Sequence, residues 1–159
     1  ARAELTVVGC QRPVVFRIWT DKNRRGRYLT VRIFPTREEM REHIHAAPGW
    51  RERRNYAANC EAITRTYSAV LTKRAGRLQR TRKLGEVLFH RGNLGSGIVT
   101  HEMGHAALHW SSLRRWSLTL TGRNASRGEE RLCWVLGWLV TQFWRHYYRA
   151  VPHEEPKPL

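Results

Sequence analysis

The chain has 159 residues, 41% of them hydrophobic and 26% charged, and 29 Lys and Arg against 13 Asp and Glu give a formal net charge of +16. This length suits one domain with a core of its own, the apolar fraction excludes a disordered chain, and no uninterrupted apolar run approaches the roughly 18 residues of a membrane span. Cys10, Cys60 and Cys133 have no C-x-x-C spacing and predict reduced, structural thiols, and residues 1–6 carry no apolar signal core, so the expected location is cytoplasmic.

Val14 to Thr20 and Arg27 to Phe34 alternate as strands do, with residues 21–26 as a hairpin-type loop between them. Thr36-Arg37-Glu38-Glu39 has capping-box form after Pro35, so a helix is predicted to about Ala47, where Pro48-Gly49 stops it. His43 and His45 lie two apart near its end, face different sides and read as surface groups. Glu61 to Leu71 is rich in β-branched residues and favours a strand. Lys73 to Lys83 reads as a basic loop or hairpin tip, and Glu86 to His90 as a short strand. Trp116, Leu118 and Leu120 alternate, as in a short strand or a cleft-lining loop. A last helix is predicted from about Arg127 to Tyr148, with Trp134, Trp138 and Trp144 in the core. Residues 1–151 are read as one domain, and 152–159, with three prolines, as a flexible tail.

The strand at Glu86–His90 leads through Gly95-Ser96-Gly97 into His101-Glu102-Met103-Gly104-His105, the pattern H-E-x-x-H. Residues four apart on a helix share a face, so His101 and His105 can hold one Zn²⁺ at roughly 2.0–2.1 Å each. Glu102 can accept the proton of a water that the metal activates. Ile98, Val99, Met103, Ala106 and Ala107 give the helix an apolar body, and the two alanines allow close packing. His109 lies about 12 Å along the axis from His101, too far to share the ion, and reads as a supporting or surface histidine. A third ligand is expected on the next helix, which opens Ser126-Arg127-Gly128-Glu129-Glu130. Ser126 and Glu129 fit a capping box, which gives Glu129 a local task and leaves Glu130 for the metal. Glu130 is therefore favoured and Glu129 is the alternative. Gly137, on the same face as Glu130, is expected to permit close helix packing.

These residues resemble the zincin metallopeptidases, in particular the gluzincin arrangement of H-E-x-x-H with a downstream glutamate on a second helix. The small ImmA/IrrE-like peptidases look most similar, over roughly residues 85–145. The resemblance implies an α+β fold: a small mixed sheet, the H-E-x-x-H helix and a C-terminal helix carrying a glutamate ligand. It implies His101, His105 and Glu130 as zinc ligands, Glu102 as general base, and a protein or peptide substrate. In zincins an edge strand near the active helix can pair with an extended substrate. After Glu130 the chain reads Arg131-Leu132-Cys133-Trp134, which departs from the Ala-rich continuation of the ImmA-like helix.

The charge supports a second expectation. Basic clusters at 24–27, 51–54 and 73–83 would attract polyanions, so nucleic acid or an acidic protein is a candidate partner. No helix-turn-helix, zinc-finger or RNA-binding signature accompanies them. The alternative to a peptidase is a basic nucleic-acid- or protein-binding module whose zinc is structural or regulatory. No membrane partner is expected.

Overall fold

A computed structural model describes residues 12–46, 61–67, 71–74, 76–118 and 126–151. Cys10, Cys60, the 51–54 basic cluster, Pro48-Gly49, Leu120 and the 152–159 tail lie outside the described residues. Among the described residues the architecture is α+β, with a mixed four-stranded sheet and three α-helices.

Strands β1 (Val14–Trp19) and β2 (Tyr28–Phe34) form the expected antiparallel hairpin. Helix α1 (Arg37–Ala46) follows, its start capped by the Thr36 hydroxyl, which accepts from the Glu39 amide at 3.2 Å. Strand β3 (Ala62–Thr66) lies within the β-branched segment from Glu61 to Leu71, and β4 (Leu71–Arg74) with β5 (Arg77–Arg80) forms a separate two-stranded ribbon. The ribbon turns at Gly76, whose φ of 77° suits glycine. Thus the basic segment is a hairpin, and its last residue, Lys83, already belongs to β6 (Lys83–His90). Helices α2 (Ser96–Leu113) and α3 (Arg127–Ala150) complete the fold.

The sheet order is β1-β2-β6-β3. β6 is the long apolar strand and sits inside, parallel to β2 and antiparallel to β3. The strand leading into the H-E-x-x-H helix is therefore interior, and β3 is the edge beside it. An irregularity of register lets Leu84, Val87 and Phe89 of β6 all join one core, because an extra residue in a strand inverts its alternation. That core holds α2 and α3 against one sheet face through Val99, Met103, Ala106, Val135, Leu139 and Phe143. On the opposite face Met40 and Ile44 of α1 cover Phe34, Ile63 and Leu88.

Two contacts seat α3. Its Gln142 amide donates to the Trp19 carbonyl (2.7 Å) and accepts from the Trp19 amide (3.0 Å), satisfying backbone groups on the β1 edge. At its start, Gly128 lies so close to the Ser117 carbonyl that a Cβ would collide with it. The close approach expected at Gly137 is not there: Gly137 is exposed, with nothing near a Cβ. It sits on the solvent side of α3, nine residues and two and a half turns beyond the glycine that touches its neighbour. Two of the tryptophans also differ from expectation. Trp134 is 48% exposed and Trp138 is half-buried, because the buried stripe of α3 runs through Val135, Leu139 and Phe143, whereas Trp144 packs on that core against Phe143. Cys133, expected to be structural, is exposed.

Candidate metal centre on helix α2

Helix α2 starts at an extended Gly95 and runs for 18 residues, so the whole H-E-x-x-H pattern lies on regular helix. His101 and His105 point outward from the packed side, and their Nε2 atoms stand 3.1 Å apart with the rings edge to face. Two ligands of one tetrahedral zinc, each at about 2.05 Å, are separated by about 3.3 Å. The pair thus presents two nitrogen donors at nearly the spacing one ion needs.

Glu102 is on the inner side, 6% exposed, facing the sheet edge. The Thr64 hydroxyl of β3 lies 2.6 Å from Glu102 Oε2 and 2.9 Å from its main-chain carbonyl. A hydroxyl has one proton, and the shorter contact to the carboxylate is the stronger hydrogen bond. Sequence reasoning missed Thr64. Its only signal was a hydroxyl in a β-rich run 38 residues away, and pairing of β3 with β6 is what brings it under the helix. Among the described residues, the other edge of β3 pairs with no strand.

The downstream acids sit elsewhere. Glu129 completes its capping box: Ser126 Oγ accepts from the Glu129 amide at 3.2 Å, and Glu129 Oε2 accepts from the Ser126 amide at 2.5 Å. Glu130 is exposed and lines a cavity with Trp110 and Arg114 from the far end of α2; that lining does not include His101 or His105. Among the described residues no group of three His, Cys, Asp or Glu side chains is gathered for a metal, so the structure brings two of the expected ligands together. His109 is half-buried, with Nε2 enclosed and unpartnered among the described residues.

Two titratable clusters flank the sheet. At its end, Glu61 accepts from His90 Nε2 (3.0 Å) and Asn93 (3.3 Å) and pairs with Arg37 (2.5 Å). The His90 hydrogen bond, aided by Asn93 and Arg37, holds the Glu61 carboxyl below its ordinary value against the opposing effect of burial. Under α1, burial pushes Glu86 up, but the Lys83 hydrogen bond with the Lys83, Arg32 and Arg65 charges outweighs it and holds the carboxyl low. His43, expected at the surface, is half-buried against Phe34 and 3.9 Å from Glu86. Burial and the Arg32 charge lower its pKa despite Glu86. Burial, then Arg149, Arg24 and Arg145, lowers His146.

No protein-family model, curated protein or solved structure matches the chain. No helix among the described residues is long and apolar enough to cross a membrane.

Proposed function

We propose that this chain is a zinc-dependent hydrolase, in the first place a peptidase of the zincin type. The observation that carries the reading is the 3.1 Å approach of His101 and His105 Nε2, with the Glu102 carboxylate held between them in sequence and braced by Thr64. Both imidazoles are solvent-facing, so a metal and a substrate can reach them. Glu130, or Glu129 in its place, would be the third protein ligand that a catalytic zinc usually has. For Glu130 that role requires its side chain to leave the tryptophan-lined cavity, and for Glu129 to leave its cap.

A zinc ion bound there would supply Lewis acidity and lower the pKa of water toward about 7. The rest of the work falls to the chain. Glu102 takes the proton of the attacking water and passes it to the leaving amine. With Oε2 held by Thr64, Oε1 would be the oxygen for that transfer. A substrate in extended form would lie along β3, adding main-chain hydrogen bonds at the sheet edge. No separate oxyanion donor is assigned.

The test is metal content of the purified chain beside His105→Ala and Glu130→Ala, with cleavage of a denatured protein as the second readout. One zinc per wild-type chain, lost in both variants, is the expected result. Zinc lost only with His105→Ala moves the third ligand to Glu129 or another residue. A chain that takes up no zinc on reconstitution overturns the proposal.

A further inference from the structure

A concave feature lies away from the histidine pair. It is a cavity of about 930 Å³ between the β1–β2 loop, the last turn of α2 and the start of α3. Small-molecule sites span roughly 300–1,000 Å³ and are mostly apolar with few charges. This one is walled by six arginines, Arg25, Arg27, Arg82, Arg114, Arg127 and Arg131, against two carboxylates, Asp21 and Glu130. Asp21 already accepts from the Arg25 amide at 2.9 Å, so part of its charge is used to brace the loop. Three tryptophans, Trp110, Trp116 and Trp134, share the same wall.

Several of these side chains are ordered in advance. The Arg114 guanidinium lies over the Trp110 ring at 5.7 Å, and Arg82 over Trp19 at 5.0 Å, with an Arg82 nitrogen donating to the Arg24 carbonyl at 2.8 Å. Trp134 stacks on Trp138 and carries Lys22 at 5.6 Å, yet remains 48% exposed. Guanidinium forks match phosphate oxygens, and indole faces match unstacked bases.

We infer that this cavity is a binding site for single-stranded nucleic acid, with phosphates on Arg114, Arg127 and Arg131 and a base against Trp134. An acidic peptide would satisfy the arginines and leave the three indoles without use. A duplex keeps its base faces in the stack, where a tryptophan in a concave wall cannot reach them. None of the proposed contacts is a zinc ligand or the base, although Glu130, the proposed third ligand, lines the same cavity.

The experiment is fluorescence anisotropy of a labelled oligothymidine with the full chain, over a series of salt concentrations. A duplex of equal length and a poly-glutamate peptide serve as competitors. The single strand should win over both. Arg114→Ala with Arg131→Ala should weaken it about tenfold or more and flatten the salt slope, by about 0.7 for each phosphate no longer neutralised. Trp134→Ala should weaken it about fivefold or more at unchanged salt slope, and Trp134→Phe should restore most of that loss. Arg145→Ala with Arg149→Ala, on the exposed far end of α3, should change little. Equal competition by poly-glutamate or duplex, an indifferent Trp134→Ala, or an equal loss from the far-end pair would overturn the inference in favour of diffuse charge attraction.

Discussion

The first half of α2 and its last turn each carry side chains with a proposed function, and they are assembled in opposite ways. His101, Glu102 and His105 come from two turns of one helix, so their mutual geometry is set by the helical repeat alone. Trp110 and Arg114, at the other end, face a cavity whose remaining walls come from the β1–β2 loop, Arg82, Trp116 and α3. Local geometry survives small shifts in packing, whereas a site shared by distant segments depends on where each of them docks. Glu130 sits on the second site although it was expected at the first, which shows how strongly docking of α3 governs what that helix contributes.

The largest expected effect breaks the first site without touching the second. Glu102→Gln removes the proposed proton acceptor and should lower hydrolytic turnover by about 10² to 10⁴, with zinc content and oligothymidine affinity intact. Thr64→Val, which removes the brace and keeps the β-branched shape, should cost less, about tenfold in turnover at unchanged metal content. Undiminished turnover in Glu102→Gln would sink the assigned role.

A pair of glycines tests the docking of α3. Gly128→Ala drives a methyl into the Ser117 carbonyl, and overpacking of this kind costs about 1–3 kcal/mol. Gly137→Ala adds a methyl to open space on the same helix and should stabilise by roughly 0.5–1 kcal/mol. Denaturant unfolding of the two variants should therefore move the midpoint in opposite directions. The same Gly128 change should weaken oligothymidine binding, because Arg127, Arg131 and Trp134 of the cavity wall stand on the turns it displaces.

Gln142→Leu probes the other end of α3. It strips both hydrogen bonds from the Trp19 main chain in a partly buried setting, with an expected cost of about 1–3 kcal/mol in unfolding free energy. A loss under a few tenths would mean that water replaces the amide at this sheet edge.

The smallest effect is on pH dependence. His43 and His146 titrate below their ordinary 6.5 in the folded chain, so between the folded value and 6.5 the unfolded chain binds more protons and stability rises with pH. Glu86 and Glu61 are held below 4.5, so their contribution is present above 4.5 and is lost as the pH falls through the folded value. Both effects act in one direction. The metal-free chain should melt at a lower temperature near pH 5 than near pH 7, and His43→Gln with His146→Gln should flatten that slope.

Residue pattern alone was enough for the elements with strong local signals. The β1–β2 alternation, the Thr36 and Ser126 caps and the i, i+4 histidines depend on neighbours within one or two turns, and each lies where the pattern places it. Tertiary structure decided the rest. That β6 is interior and β3 the edge follows from a parallel pairing with β2 across more than fifty residues, which no local periodicity encodes. Thr64 reached Glu102, Gly128 rather than Gly137 became the contact glycine, and Trp134 stayed at the surface for the same reason. Helical and strand spacing fix which residues share a face, but only burial of the faces against one another fixes what each face meets.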